Sequence, residues 1–294
     1  MKDDYISVII IYGERGYNNL NILFWNTDKL KAKNNINGCL SELISAKDCD
    51  IVILAEYTDN IRPLCGLINI LSKDEYMPIP NNGGCEKIKG LIKKKYNIEV
   101  IREQNRYQIV MIRTTFYKLI VAMIHNISKL TSSKDEQAEN LRIFHQDICA
   151  EEKTHQTKNS IIIGDLNVNP FEPACIAANL LHAIPFIEEV TNPTRIVQGK
   201  IYQKFYNPMW KFYGNQKMPY TSYYHDNSGK HINYYWNAYD QVVIRPELIN
   251  AFEDDLLSII TETANHKLLK NNKPDKENYS DHLPLFCTLK EEKI

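Results

Sequence analysis

The sequence predicts an α/β fold built on a mixed sheet or a pair of sheets, and three observations lead there. Short runs rich in Ile, Val, Tyr and Phe, bounded by Gly, Asn, Asp or Pro, recur along the chain as strand candidates. Helical periods separate these runs over the first two thirds of the chain. At Thr114-Thr115 a hairpin signal joins two strands with no room for a crossover helix, so antiparallel pairing must accompany the parallel pairing.

Taken in order, the strand candidates are Ser7–Tyr12, Leu20–Trp25, Ile51–Ala55, Arg106–Arg113, Tyr117–His125, Ser160–Gly164, Gln241–Arg245 and Leu285–Leu289. Ile51–Ala55 and Ser160–Gly164 are apolar on both faces and belong at the centre of a sheet. Ile36, Leu40, Leu43 and Ile44 mark a first helix; Ala138, Leu141, Phe144 and Ile148 mark a second. A third is expected over Ala174, Ala177, Leu180 and Leu181, with Asn169-Pro170 as its cap and first turn. The Lys-rich stretch Glu86–Asn97 reads as a solvated helix or loop rather than a phosphate-binding patch. From Thr191 to Tyr239 the chain is rich in Tyr, Asn, Pro and Trp with weak periodicity, which reads as a long irregular insertion or loop pair.

The chain has 294 residues, 44% hydrophobic and 24% charged, which suits a water-soluble globular protein of one large domain or two small ones. Lys plus Arg total 35 against 36 for Asp plus Glu, so there is no global attraction to nucleic acid or to an anionic membrane, and phosphate binding must come from a local patch. Seven scattered cysteines without a CxxC pair fit reduced thiols better than a disulfide framework or a zinc site. The start of the chain is too acidic and too briefly apolar for a signal peptide, and no apolar run reaches the ~18 residues of a membrane span. A cytoplasmic location is expected.

Four strand ends carry polar residues for which a core has no use. Leu20–Trp25 is followed by Asn26 and Asp28, and Ile51–Ala55 by Glu56. Ile161–Ile163 is followed by Gly164-Asp165-Leu166-Asn167, and Asp281-His282 precedes the last apolar run. Clustered carboxylates repel unless a cation neutralises them, so convergence of Asp28, Glu56 and Asp281 implies a divalent metal. Oxygen ligands with an amide suit a hard ion, Mg²⁺ above all, with Mn²⁺ or Ca²⁺ acceptable to the same donors. Asp165 would orient or deprotonate a water, Asn167 would fix its geometry, and a histidine would meet the phosphate. Singly, each motif also reads as an ordinary turn.

Together, and in this order, "FWNTDKL", "DIVILAEYTD", "AMIHN", "IIIGDLNVNP", "YDQVVI" and "SDHLPLF" resemble the endonuclease/exonuclease/phosphatase superfamily of metal-dependent phosphoesterases. The resemblance implies a four-layer α/β/β/α sandwich of two mixed sheets flanked by helices. It also implies one domain over residues 1–294 with an aromatic-rich insertion at about 191–239. Carried over residue by residue, it implies Asn26 and Glu56 as metal ligands, Glu56 being the main one, with Asp281 and the less secure Asp28 beside them. His125, Asp165, Asn167, Asp240 and His282 match its catalytic positions, with Asp240 orienting a histidine.

The superfamily's chemistry breaks a phosphoester and leaves the substrate open. Within Tyr206–Asp240, aromatics such as Trp210 and Tyr224 would stack on bases and Lys211, Lys217 and Lys230 would contact phosphates, or the segment simply packs onto its own domain. A nuclease acting on nucleic acid is the first reading. A phosphatase or phosphodiesterase on a small molecule or lipid head group is the second, and an inactive binding module the third.

Overall fold

The computed structural model describes residues 18–214, 217–226 and 228–292; the strand expected over Ser7–Tyr12 lies outside them. Strands β1 (Asn18–Asn26), β2 (Ile51–Ala55), β3 (Tyr76–Pro78) and β4 (Ile88–Lys93) are joined by helices α1 (Lys33–Ala46) and α2 (Ile61–Leu71). There follow β5 (Asn97–Gln104), β6 (Tyr107–Arg113), β7 (Lys118–His125), helix α3 (Lys134–His155), β8 (Ser160–Asp165) and the single turn α4 (Pro173–Ile176). Short strands β9 (Ala183–Ile184) and β10 (Phe205–Tyr206) precede β11 (Asp240–Ile244), β12 (Ser258–Ile259) and β13 (Leu285–Glu291).

Two large sheets result, a six-stranded one in the order β12-β13-β1-β2-β4-β3 and a seven-stranded one in the order β5-β6-β7-β8-β11-β10-β9. Both are mixed. Each contains one long parallel pair, β1/β2 or β7/β8, crossed over by a helix, α1 or α3, and antiparallel neighbours on either side. Helices flank the two sheets, giving the α/β sandwich expected.

Alternation along the strands decides which residues meet. Val121, Met123, Ile161, Ile163, Val242 and Ile244 join the core shared with the other sheet, whereas Ile120, Ala122, Ile162 and Val243 pack on Leu141, Phe144 and Ile148 of α3. The start of α3 is fixed by a capping box, with the Ser133 hydroxyl accepting from the Glu136 N–H and the Glu136 carboxylate accepting from the Ser133 N–H. At Gly164, φ is +155° and an added Cβ would lie 1.9 Å from the Ile124 carbonyl oxygen, so only glycine lets β7 and β8 run this close.

Two expectations are corrected. Glu86–Asn97 is no solvated helix: its middle forms β4, inside the first sheet, with Ile88, Leu91 and Ile92 buried and Lys93 buried among Asp48, Asp50 and Asp74. The helix expected to reach Leu181 stops at Ile176, and Asn169 caps nothing. Its amide bonds Asn237 at 2.9 Å instead, tying this loop to the segment before β11. The aromatic stretch holds a hairpin (Thr194–Val197 with Lys200–Gln203) and a short pair (Tyr223–Tyr224 with Trp236–Asn237). Among the described residues no helix is long and apolar enough to cross a membrane, and all seven cysteines are free.

Candidate active site

The four parallel strands of the two crossover units end at one edge of the sandwich. Asn26 closes β1, Glu56 follows β2, His125 closes β7 and Asp165 closes β8. Antiparallel neighbours begin where these end, so Asp240 opens β11 directly opposite Asp165, and His282 stands just before β13. Alternation from Met123, Ile163 and Val242 turns His125, Asp165 and Asp240 toward the other sheet. There Asn26 meets them, its amide donating to Asp165 Oδ2 at 3.0 Å across the two sheets.

Asp165 is fully buried and tightly held, its second oxygen accepting from the Asn167 N–H at 2.8 Å. Burial pushes its carboxyl up, with Asp240 adding to the shift and His282 opposing it. His282 Nδ1 lies 2.7 Å from Asp240 Oδ2, and its Nε2 is 4.0 Å from Asp165 Oδ2 and 3.9 Å from Asp281 Oδ1. Burial works against charge on this ring, but Asp240, Asp281 and Asp165 outweigh it and raise its pKa. His125 behaves in the opposite way. Burial, then His282, Arg106 and Lys87, push it down to about 3, although its Nε2 is 3.4 Å from Glu56 Oε1.

Backbone strain marks the same edge, since Glu56 and Asn167 both adopt left-handed φ, 54° and 53°. The Asn167 amide donates to the Asn126 carbonyl at 3.0 Å, which ties the GDLN loop to the end of β7. Ser280 links the last motif to the first, donating to the Asn26 carbonyl at 2.6 Å and accepting from the His282 N–H.

The residues present fit a hard cation. Among the described residues nothing donates a hydrogen bond to the part-exposed Glu56 carboxylate, and the Asn26 side-chain oxygen meets only the Asp28 N–H. Asp28 holds Lys31 at 2.7 Å and raises its pKa, helped by Asp281 and Glu56, so these three acids share one small region. Asp165, Asp240 and His282 also bring ligand atoms within 4.8 Å of one another. In that trio, however, Asp240 and His282 are bonded to each other and Asp165 to Asn26 and Asn167, which leaves Glu56 and Asn26 the better placed to hold an ion.

Of the residues expected to bind substrate, Tyr224 follows Tyr223, which forms a bridge with His282. It packs edge-on against Trp236 with ring centroids 5.5 Å apart and carries Lys273 over its face. Lys211 is tied to Asp254, and Trp210 packs edge-on against Phe171. Sequence reasoning missed Tyr223. Its ring lies 4.5 Å from that of His282, and burial followed by Asp281, Asp165, Asp28 and Asp240 raises its phenol. Period two offers either tyrosine of the pair, and only the bridge from Tyr223 to His282 chooses between them.

No family model matches the chain, and no curated protein matches its sequence. Solved structures do match. TDP2 of D. rerio, complexed with single-strand DNA product, is 19% identical over 92% of this chain and 98% of its own, with a TM-score of 0.54. The 3′ phosphatase NExo from Neisseria, bound to product DNA hairpin, is 13% identical over 91% and 98%, at 0.53. An endonuclease/exonuclease/phosphatase family protein from Bacteroides thetaiotaomicron is 12% identical over 93% and 98%, at 0.50. The chain has the endonuclease/exonuclease/phosphatase fold.

Proposed function

Starting from that fold, we propose that the protein is a divalent-metal-dependent phosphoesterase that hydrolyses phosphodiester bonds in nucleic acid. The observation that carries the reading is the meeting, at one edge, of an unbonded Glu56 carboxylate, the Asn26 amide, buried Asp165 and the Asp240–His282 pair. Glu56 and Asn26, with Asp281 at the margin, would hold the ion, and Asp28, which pairs with Lys31, would add a further acid beside it. When bound, Mg²⁺, or Mn²⁺ or Ca²⁺ in its place, supplies charge neutralisation on the phosphate.

The chain's own groups do the rest. Asp165, fixed by the Asn26 amide and the Asn167 N–H, accepts a hydrogen bond from the attacking water and takes its proton. Asp240 fixes the His282 ring so that Nε2 faces the phosphoryl oxygens and donates to them. His125, beside Glu56, offers a second ring nitrogen to the same phosphate. Tyr223 covers the outer face of His282 and keeps the ring from turning. Nucleic acid is preferred to a small phosphoester because two of the structures that share the fold are solved with DNA.

Purified protein with Mg²⁺ or Mn²⁺ would be offered supercoiled plasmid, single-stranded DNA, RNA, inositol phosphates and a chromogenic phosphodiester, beside Glu56→Ala. The expected result is cleavage of nucleic acid, abolished by chelation and by Glu56→Ala. Phosphate release from inositol phosphates without any cut in nucleic acid would move the substrate to a small molecule, and a fully active Glu56→Ala would remove the metal assignment.

A further inference from the structure

A cavity beside the catalytic edge contains none of the residues assigned above. It is a cleft of about 850 Å³ between the start of α2, the loop after β3, and β4. Ile61, Ile79 and Ile88, all buried, form an apolar floor, while Arg62, Lys89 and Asn82 stand at the rim. Its volume falls in the range of small-molecule and cofactor sites. Ile88 pairs with Ala55, and the Glu56 N–H donates to the Lys87 carbonyl at 3.3 Å, so the cleft opens one residue away from the proposed main metal ligand.

Charge runs along the same path. Among the described residues, the side chains of Arg62, Lys87 and Arg106 make no ion pair and no hydrogen bond, although most of the chain's buried or half-buried cations are paired. The Lys87 carbonyl accepts from the Glu56 N–H and the Arg106 carbonyl from the His125 N–H at 2.9 Å, so both residues stand beside the catalytic edge, and Lys87 adjoins Ile88 of the cleft. Two of the acids at the cleft are already engaged, while Glu56 faces Arg106 without pairing with it. Asp59 pairs with Lys33, and Glu103 accepts from the N–H groups of Asn82 and Gly84 and from Gln108. Lys89 is held by the Asp59 carbonyl at 2.6 Å.

An apolar floor with the unpaired Arg62 at its rim, and Lys87 and Arg106 leading from it to a phosphoester-cleaving edge, suits a flat ring attached to a phosphate. We infer that this cleft binds a nucleotide of the same strand that is cut, its base against Ile61, Ile79 and Ile88 and its phosphates along Arg62, Lys87 and Arg106. The inference rests on the nucleic-acid reading above and adds where the strand goes.

The test measures binding of a labelled single-stranded DNA of about 12 nucleotides by anisotropy across a range of salt. It is run on the parent with Ca²⁺ and on Arg62→Glu and Asn82→Asp, both exposed positions whose thermal midpoints serve as the folding control. Arg62→Glu is expected to weaken binding about tenfold and to reduce the salt slope by about 0.7, the signature of one lost phosphate contact on a single strand. Asn82→Asp should weaken it in the same direction, and a 5-iodouracil oligonucleotide should crosslink within residues 61–90 in the parent. If both variants bind with the parent's affinity and salt slope, the cleft holds no strand and the nucleic-acid reading stands without it. If the parent itself binds no oligonucleotide while hydrolysing a chromogenic phosphodiester, the nucleic-acid reading fails and takes the cleft's occupant with it.

Discussion

Strands β8 and β11 run side by side, and charge is buried at both of their ends in opposite ways. Just beyond Ile244, Arg245 is fully buried and saturated: Nε and Nη2 reach the Glu152 carboxylate at 2.7 and 3.0 Å, Nη1 the Lys204 carbonyl, and the guanidinium lies 3.7 Å from the Phe205 ring centroid. At the other end Asp165 and Asp240 stand opposite one another with Asp281 and Glu56 close by, and buried Asp240 Oδ1 and His125 Nδ1 have no partner. Five residues apart along the chain, one end has matched charge around a saturated guanidinium and the other has excess acid and open valences. A buried charge that serves the fold is closed on itself, and one that serves chemistry is left able to accept something from outside.

That contrast can be broken experimentally. The largest effect should come from Asp165→Asn, which is expected to lower phosphodiester hydrolysis by about 10²–10⁴-fold while leaving the thermal midpoint unchanged or higher, because it removes a buried acid that faces other acids. An active but unstable variant would assign Asp165 to the structural kind.

At the closed end, Arg245→Met should lower the unfolding free energy in urea by about 3–5 kcal/mol, since Glu152 is left buried and alone. Adding Glu152→Leu should recover most of the loss. If the double variant is no better than the single one, the pair is not what holds that end together.

Next in size is a pH effect carried by His145, whose ring lies 3.4 Å from Arg245. Burial first, then Arg245 and His182, push it down to about 3. Between its unfolded pKa near 6.5 and that value, the unfolded chain binds a proton that the folded chain refuses, so stability falls as pH falls through this window. The slope should reach up to about 1.4 kcal/mol per pH unit and be reduced in His145→Asn; identical slopes in parent and variant would show that the ring titrates freely in the fold.

The smallest change is expected for Lys31→Met at the open end, where the pair with Asp28 is exposed to water and worth less than about 1 kcal/mol. A loss as large as that of Arg245→Met would make the two ends alike and remove the distinction drawn between them.

How much of this was readable in the chain follows the same division. Ile51–Ala55 was legible to the residue because apolarity on both faces leaves no other state, and the meeting of Asn26, Asp165 and His282 near Glu56 was anticipated from polar groups placed at strand ends. Lys93 misled because the partners that allow its burial, Asp48, Asp50 and Asp74, are far from it in the chain and make an apparently solvated run into a sheet strand. Ala174–Leu181 misled because Ala177 takes an extended backbone (φ −61°, ψ 136°) that ends the helix after one turn, which its helical spacing does not report. Arg245, Glu152 and the cleft rim were invisible for a related reason: each depends on which strands become neighbours, and local spacing does not report that.

Gly164 gives the proposed catalytic edge a ruler made of main chain. His125 and Asp165 are register partners on β7 and β8, and the two backbones approach so closely one step earlier that a single added carbon would strike the Ile124 carbonyl. The gap between those two side chains is therefore a property of the missing carbon and not of the side chains themselves. Chemistry could be rewritten at either position, by exchange of one acid or base for another, with the working distance kept; a methyl group at residue 164, which touches no reacting atom, would change the distance for every occupant at once.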